Sequence, residues 1–387
     1  MLARLTEFSL IQRLLIMGLT LLLVAAGIQA WRALPIDAFP DVSTTQVKLI
    51  LKAPGMTPEE VEKRIAAPIE TEMLGIPRQR ILRSVSKYGL TDITIDFEDG
   101  TDIYWARQQV AERLNNVMAD LPEGVGGGLA PITTPLSEIF MFTVEGDHLS
   151  LAERRSLLDW VIRPQLRTLP GVADVNALGG LVKTFEVAPD NAAMSARGVT
   201  LADLAEAIRA NNRNDGAGRL TEGEEVWLVR VEGAVQSLED LAGIVVKNVG
   251  GIPVRVSDVA QVHEGSLTRY GGVTQNGKSE GVEGLVLSLK GANAQQVIRG
   301  VKQKLKEIAP TLPQGVSIKP FYDRSALVER AVNTVAKALM EAIVLVLVLL
   351  FLFLGNARAA LTVALTLPLA ALATFLLMQR FGISANL

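Results

Sequence analysis

Two apolar stretches near the end of the sequence decide the fold class: ALMEAIVLVLVLLFLFL at Ala338–Leu354 and AALTVALTLPLAALATFLLM at Ala359–Met378. Only the four residues Gly355–Arg358 separate them. Each stretch is long enough to cross the hydrocarbon core of a bilayer as a helix. Neither has the polar face that a helix on the surface of a soluble domain carries. The sequence therefore predicts a helical hairpin that crosses a membrane twice.

A third apolar stretch lies near the start of the chain, at Leu14–Trp31, and contains one glutamine and no charged residue. At ~1.5 Å per residue its 18 residues span about 27 Å as a helix. A cleaved signal peptide fits the same pattern, because basic residues precede the stretch and Ala30 lies near its end. Both interpretations stay open on this stretch alone.

Arginines predict the orientation of the three spans. Arg4 and Arg13 precede the first span, and Arg358 lies in the turn of the hairpin. The excess of basic residues on the cytoplasmic side places all three arginines in the cytoplasm. If the first span is not cleaved, the segment Arg32–Ala331, about 300 residues, is exported, and Phe381–Leu387 lies on the outer side as well.

The exported segment alternates strand and helix patterns. After a strand at Thr44–Ala53, Thr57 as N-cap and Glu60 three residues later predict a capping box, and Pro68 predicts a kink in the helix that follows. This helix is followed by strands at Ile81–Ser86 and Leu90–Glu98 and by a helix at about Thr101–Ala119.

The same pattern then recurs. A strand at Ser137–Val144 precedes a helix that begins near Ser150 and contains Pro164. Gly171 follows Pro164 by seven residues, as Gly75 follows Pro68. The next two strand patterns, VADVNAL and VKTFEVA, are predicted to pair across Gly179–Gly180. We interpret the recurrence as two copies of one α+β subdomain. The segment from Ala188 to Tyr270 does not follow this pattern, and we interpret it as an insertion that carries an extended hairpin. After it, Glu283–Lys290, a helix at about Ala294–Ile308 and Val316–Tyr322 complete the second copy.

Composition excludes several classes of function. The formal charge is −3 and no basic cluster stands out, which disfavours nucleic-acid binding. The absence of cysteine excludes disulfides, thiolate zinc sites, iron–sulfur clusters and cysteine nucleophiles. His148 and His263 are 115 residues apart, and we assign neither to a site. We expect no enzymatic activity and no bound cofactor, because the sequence contains no nucleophile–base pair and no cofactor motif.

Several long segments resemble the heavy-metal efflux branch of the resistance–nodulation–division (RND) transporters. They are FPDVSTTQV (Phe39–Val47), APGMTPEEVE (Ala53–Glu62), FEDGTDIYWARQQVAERL (Phe97–Leu114), RPQLRTLPGVADV (Arg163–Val175), YDRSALVERA (Tyr322–Ala331) and FLGNARAAL (Phe353–Leu361). The resemblance extends over essentially all 387 residues.

The resemblance implies a homotrimeric, proton-driven exporter of heavy-metal cations in the bacterial inner membrane, with a periplasmic adaptor and an outer-membrane channel as partners. It implies an α+β membrane protein, with transmembrane helices and periplasmic porter subdomains of βαβ type that carry an inserted docking domain. The implied parts are a segment with the first span (1–31), a first porter subdomain (32–134), a second porter subdomain (135–180 and 272–331), a docking domain (181–271) and two further spans (332–354 and 359–378).

This chain ends after its third span, whereas family members have twelve membrane helices and carry their proton-transferring acids on the fourth. Glu341 is the one acid within the spans, and we expect it to lie at the interface with Lys337 as its partner, with a proton relay as the alternative. We therefore expect residues 1–387 to be the N-terminal part of a transporter, inactive alone and completed by a C-terminal half if that is encoded separately. The alternative is an accessory or regulatory membrane protein that assembles with a full pump or its adaptor.

Glu138 is the candidate metal ligand. It begins an apolar strand in PLSEIFMF, where the family motif carries a glutamate that lines the substrate site in some zinc-type members. Pro135–Ser137 replaces the glycine-flanked pattern of the family at this point. The alternative is a glutamate at a strand end that pairs with a nearby arginine. Which metal is carried is not predicted by the sequence.

Overall fold

The computed structural model describes residues 8–9, 11–34, 36–37, 43–355, 357–381 and 385–386. Arg4, residues 39–42 of the FPDVSTTQV segment, Asn356 of the hairpin turn, residues 382–384 and Leu387 lie outside the described residues. The first helix, α1, covers Arg13–Ala33, as predicted for the first span. A two-residue strand, β1 (Ile36–Asp37), follows it.

The next part of the chain forms a four-stranded antiparallel sheet with two helices, which we call the first sheet unit. Its elements are β2 (Gln46–Lys52), α2 (Pro58–Val61, Glu62–Ala66 and Ala67–Met73), β3 (Gln79–Lys87), β4 (Leu90–Phe97), α3 (Ile103–Met118) and β5 (Gly126–Leu129). The strand order is β3-β4-β2-β5. Alternate residues of β2, among them Leu49 and Leu51, are fully buried against Ile65 and Ile69 of α2. Every second residue of the strand thus packs against the apolar face of the helix.

The second sheet unit begins with β6 (Glu138–Glu145), α4 (Leu151–Leu157, Leu158–Ile162 and Arg163–Arg167) and β7 (Val172–Gly179). After a long insertion it resumes with β14 (Val273–Gln275), β15 (Ser279–Ser288), α9 (Ala294–Ile308), a 3-10 turn (Ala309–Thr311) and β16 (Ser317–Asp323). Strand β15 pairs with β7 on one side and with β6 on the other, and β6 also pairs with β16. The order β7-β15-β6-β16 repeats that of the first unit, which confirms the duplication predicted from the sequence.

The predicted pairing of VADVNAL with VKTFEVA is wrong. VADVNAL lies in β7, which pairs with β15, whereas VKTFEVA lies in β8 (Lys183–Pro189), which pairs with β13 (Ala260–Ser266) of the insertion. The two strand patterns are adjacent in sequence, and Gly179 and Gly180 both adopt positive φ, as in a hairpin turn. The chain instead leaves the sheet at this point. The two strands look like a local hairpin in the sequence, but each pairs with a strand far away in the chain.

In both units the helix after the first strand contains a proline preceded by one π-helical turn, at Glu62–Ala66 before Pro68 and at Leu158–Ile162 before Pro164. Proline has no amide hydrogen, and its ring clashes with the carbonyl four residues earlier. The residue before each proline bonds five residues back, Ala67 to Glu62 and Arg163 to Leu158. The predicted disturbance at Pro68 is thus a π-turn inside a continuing helix.

The insertion has a small core of its own, which includes Met194, Leu204, Val256 and Val259. Its elements between β8 and β13 are α5 (Asn191–Ala196), α6 (Leu201–Asn211), β9 (Asp215–Glu222), β10 (Glu225–Val231), α7 (Leu238–Gly243), β11 (Val245–Val249), β12 (Ile252–Arg255) and α8 (Val256–Val259). Strands β9 and β10 form the predicted extended hairpin. The ladder between β8 and β13 closes the base of the insertion.

The last part of the chain contains two long helices, α10 (Arg324–Leu354) and α11 (Ala357–Phe381), separated by Gly355 in the left-handed conformation. A short strand, β17 (Ala385–Asn386), then pairs with β1. Asp323 caps α10 through its side chain, which accepts a hydrogen bond from the Ser325 amide. Segments of α1, α10 and α11 are long and apolar enough to cross a membrane. The protein is therefore mixed α/β, with three candidate membrane helices.

Helix α1 packs against α11 at a glycine. A Cβ atom added to Gly27 would lie 2.7 Å from the Leu372 Cβ and 3.0 Å from its carbonyl oxygen. Real Cβ atoms do not approach other atoms that closely, so only glycine fits this contact without movement of a helix. Small residues allow the same close approach in other membrane helix pairs.

We expect Gly27→Ala to weaken the packing of α1 on α11 by about 1–3 kcal/mol, the range for overpacking a tight contact. Unfolding of the purified protein in mixed micelles by increasing mole fractions of dodecyl sulfate measures the change. Gly18→Ala is the matched control, because a Cβ at Gly18 meets nothing within 4 Å. Equal unfolding midpoints for the two variants would contradict this account of Gly27.

Candidate functional site

Glu138 is the first residue of β6, and its side chain is exposed. It lies opposite Leu287 of β15, next to a shift in register between Val286 and Leu287. Such irregularities redirect side chains at the ends of strands. The strand places Glu138 at one end of the second sheet unit, between β15 and the turn that leads into β6.

A second carboxylate on the same sheet is that of Glu283 on β15. Burial raises the pKa of Glu283 above its usual value, and repulsion by the Glu138 carboxylate raises that pKa further. Glu283 lies opposite Thr143, whereas Glu138 lies opposite Leu287, four residues further along β15, so the two acids stand at different levels of the sheet. Sequence analysis did not single out Glu283. The available signal was a single acid within the otherwise uncharged run GVEGLVLS of β15.

A third acid, Asp174 of β7, also lies opposite Leu287. Directly opposed residues of neighbouring strands share one face of a sheet, so Glu138 and Asp174 flank Leu287. Asp174 already has partners, however. Its carboxylate accepts hydrogen bonds from Arg163 Nη2 at 3.3 Å and from the Val175 amide at 2.7 Å, and Arg167 Nε lies 3.2 Å away. In this structure its charge is compensated by these arginines.

The alternative role for Glu138 was an ion pair with a nearby arginine. None of the ion pairs within 4.0 Å among the described residues includes Glu138. Within the described ranges there is also no cluster of three or more histidine, cysteine or acidic side chains arranged to hold a metal. Glu138 and Glu283 therefore supply at most part of a coordination sphere, and the assignment of Glu138 as a ligand stays a prediction.

The other residues considered as candidates lie apart from Glu138 in sequence and have local partners. Glu341 lies 3.9 Å from Lys337 on the same face of α10, as expected for the pair. His263 Nε2 lies 3.6 Å from a carboxylate oxygen of Glu186 on the neighbouring strand. His148 lies against Gly315, where a Cβ would approach its ring within 3.0 Å.

Three candidate membrane helices and two copies of one sheet unit, the second interrupted by an insertion, define the architecture. The protein is a mixed α/β chain with a large folded part between its first two apolar helices. The model of the AcrB/AcrD/AcrF family matches residues 5–387, and the chain belongs to this family.

Its relatives include heavy-metal resistance proteins. The chain is 43% identical to the cobalt-zinc-cadmium resistance protein CzcA of Cupriavidus metallidurans and 44% identical to protein HelA of Legionella pneumophila, in each case over 100% of this chain and 37% of the relative. A crystal structure of a heavy metal efflux pump superposes with a TM-score of 0.91 at 36% identity, over 99% of this chain and 38% of that one. The chain thus spans less than two fifths of the length of these proteins. The resemblance to the heavy-metal efflux branch is confirmed.

The raised pKa of Glu283 makes the stability of the second sheet unit depend on pH. Because the folded state holds this proton more tightly than the unfolded chain, stability falls as the pH rises from about 4.3, the ordinary value, through the raised pKa. We expect Glu283→Gln to raise the thermal unfolding midpoint at pH 7 and to leave it nearly unchanged at pH 4.

Glu307→Gln is the control of opposite sign, because Lys304 and Gln303 lower the pKa of Glu307 through hydrogen bonds. This second variant should bring no gain at pH 7. Differential scanning fluorimetry at both pH values measures the two variants side by side. If Glu283→Gln shifted the unfolding midpoint equally at pH 4 and pH 7, ionisation of Glu283 would not destabilise the folded state.

Proposed function

We propose that this chain forms the first porter and docking region of a proton-driven exporter of heavy-metal cations in the bacterial inner membrane. The observation that carries the proposal is the agreement of 99% of the chain, at a TM-score of 0.91, with a solved heavy metal efflux pump. Relatives named for resistance to cobalt, zinc, cadmium and nickel support heavy-metal cations as the substrate class.

In this proposal the first sheet unit lies in a first porter subdomain (32–134), and the second sheet unit lies in a second porter subdomain (135–180 and 272–331). The insertion is the docking domain (181–271). Its own core and its ladder at the base support a separate unit that is attached to the second subdomain by two chain crossings. A homotrimer, a periplasmic adaptor and an outer-membrane channel are the proposed partners, with a separately encoded C-terminal half as a further one.

The proposed assembly contains membrane helices beyond α1, α10 and α11. Proton coupling needs a titratable group within the membrane that can change its charge during transport. Among the described residues of the apolar stretches Leu14–Trp31, Ala338–Leu354 and Ala359–Met378, Glu341 is the one acid, and it lies beside Lys337. We therefore propose that residues 1–387 supply substrate contacts and docking surface, and that proton transfer belongs to other helices of the assembly.

The proposed orientation puts the start of α1 and the turn between α10 and α11 in the cytoplasm, because Arg13 and Arg358 lie there. The sheet units are then periplasmic, and the end of α11 returns to the periplasm. A reporter enzyme that is active only in the cytoplasm, fused after Leu387, should be silent in intact cells. The same reporter fused after Arg358 should be active. Strong activity after Leu387 would overturn this orientation.

We propose that Glu138 supplies one oxygen ligand to the transported cation, and that the Glu283 carboxylate of the neighbouring strand adds to the negative field. An ion in transit must be released again, so a few carboxylates suit a mobile divalent cation better than a closed thiolate site. The exposure of Glu138 and its position at a strand end support this role. The remaining ligands would come from other parts of the assembly.

Replacing Glu138 by glutamine removes the charge and nearly preserves the shape of the side chain. We expect Glu138→Gln to weaken binding of Zn²⁺ by about 1–3 kcal/mol, which is roughly 5- to 150-fold. Isothermal titration with Zn²⁺ of the purified, reconstituted assembly that contains this chain measures the affinity. Glu145→Gln at the other end of the same strand is the matched control and should bind like the wild type, because Glu145 interacts with Gln275 and Lys319. Wild-type affinity of Glu138→Gln would remove Glu138 from the site.

A further inference from the structure

Arg324 is a buried arginine at the junction of the second sheet unit with the membrane. It is the first residue of α10, directly after the last residue of β16, and only 4% of its surface is exposed. Its guanidinium donates a hydrogen bond to the carbonyl oxygen of Leu136. Leu136 lies two residues before Glu138. A residue of the long helix thus reaches the turn that carries the candidate ligand.

The start of α10 is itself fixed in place. The Asp323 carboxylate accepts hydrogen bonds from the Ser325 amide at 2.9 Å and from its hydroxyl at 2.6 Å. The same carboxylate forms an ion pair with Lys302 of α9. Asp323 also lies opposite Phe140 of β6. Arg324 therefore acts from a rigid base made of β16, the helix cap and α9.

The turn that receives the hydrogen bond is held from its other side by β15. Ser137 is 2% exposed, and its carbonyl oxygen accepts a hydrogen bond from the Ser288 amide at 2.8 Å. Its hydroxyl accepts one from the Thr134 amide at 2.9 Å. The backbone that enters β6 is thus anchored to β15 through Ser137 and to α10 through Leu136. Glu138 is the next residue after these two anchors.

The chemistry of the contact explains why an arginine suits this place. Burying a cation is unfavourable unless its N–H groups are hydrogen-bonded, so the buried guanidinium holds the Leu136 carbonyl strongly. Its planar head fixes the direction of the hydrogen bond, whereas a lysine offers a flexible point charge. Supporting contacts of this kind orient metal ligands and change metal affinity without touching the ion.

We propose that Arg324 is a positioning residue for cation binding: it holds the Leu136–Glu138 turn against the start of α10 and so sets the location of the Glu138 carboxylate. This inference rests on the proposed role of Glu138. The Arg324 side chain thereby links the first residue of α10 to the turn that precedes Glu138.

A double-mutant cycle on the same reconstituted assembly in detergent, titrated with Zn²⁺, tests the proposal. Arg324→Gln should weaken Zn²⁺ binding about 10-fold, the lower end of what loss of a supporting contact costs a metal site. In the Glu138→Gln background the same change should alter affinity by less than about twofold, because there is no carboxylate left to position. Arg324→Lys should restore part of the affinity, since its ammonium can still donate one hydrogen bond.

Lys302→Gln is the control for a purely structural effect. It loosens the start of α10 by removing the partner of Asp323, but it does not touch the Leu136 carbonyl. It should lower the unfolding midpoint and weaken Zn²⁺ binding by less than Arg324→Gln does, because the helix cap and the pairing of β16 with β6 still hold the start of α10. A loss of affinity in Lys302→Gln as large as that in Arg324→Gln would overturn the specific role of Arg324.

The outcomes separate this proposal from the one on which it rests. Weakened binding in Glu138→Gln with wild-type affinity in Arg324→Gln keeps the proposed ligand and overturns the positioning role. If the loss of Zn²⁺ affinity in the double variant equals the product of the two single losses, the positioning role of Arg324 is overturned as well. Wild-type affinity in Glu138→Gln alone overturns both proposals. If Arg324→Gln does not fold, Arg324→Lys decides: an affinity between those of the wild type and Glu138→Gln supports the role, and wild-type affinity contradicts it.

Discussion

The pairing of β15 with both β6 and β7 is the interaction on which the second half of the folded part depends. About 100 residues separate the end of β7 from the start of β15, and the sheet exists only when these two distant segments meet. Closing a long loop is entropically unfavourable, but the cost rises slowly with loop length. The ladder of β8 with β13 shortens the effective loop further, because it brings the two ends of the insertion together. The sheet and the base of the insertion therefore stabilise each other.

This arrangement also determines what surrounds Glu138. Because β6 lies between β15 and β16, its first residue has Leu287 of β15 opposite it on one side, and the start of α10 contacts the turn before it on the other. Helix α10 continues from its cap at Asp323 for 31 residues into the span. A displacement of this helix along its axis would therefore act on β16 and on the turn before Glu138 together.

The first sheet unit is tied to the second by Lys290, whose ammonium donates to the carbonyl oxygens of Ser43 and Thr44 at 3.0 and 3.1 Å.

Sequence alone predicted the features that are encoded locally. The three spans, the capping box at Thr57, the helix that begins near Ser150 and the recurrence of proline and glycine all follow from short-range patterns. The partner of β7 could not be predicted in this way, because strand pairing over about 100 residues leaves no periodic signal in either strand. The surroundings of Glu138 were missed for the same reason. Leu287 lies opposite it through the strand register, and Arg324 contacts Leu136 of the preceding turn across 188 residues of sequence.

The central claim is that the end of β6 forms part of a path for a heavy-metal cation. Anomalous X-ray diffraction at the zinc absorption edge, on crystals grown with Zn²⁺, tests it most directly. The account predicts an anomalous peak about 2.0–2.2 Å from a carboxylate oxygen of Glu138, the usual zinc–carboxylate distance. A well-ordered Glu138 with no anomalous density beside it, together with zinc bound elsewhere in the folded part, would contradict the account.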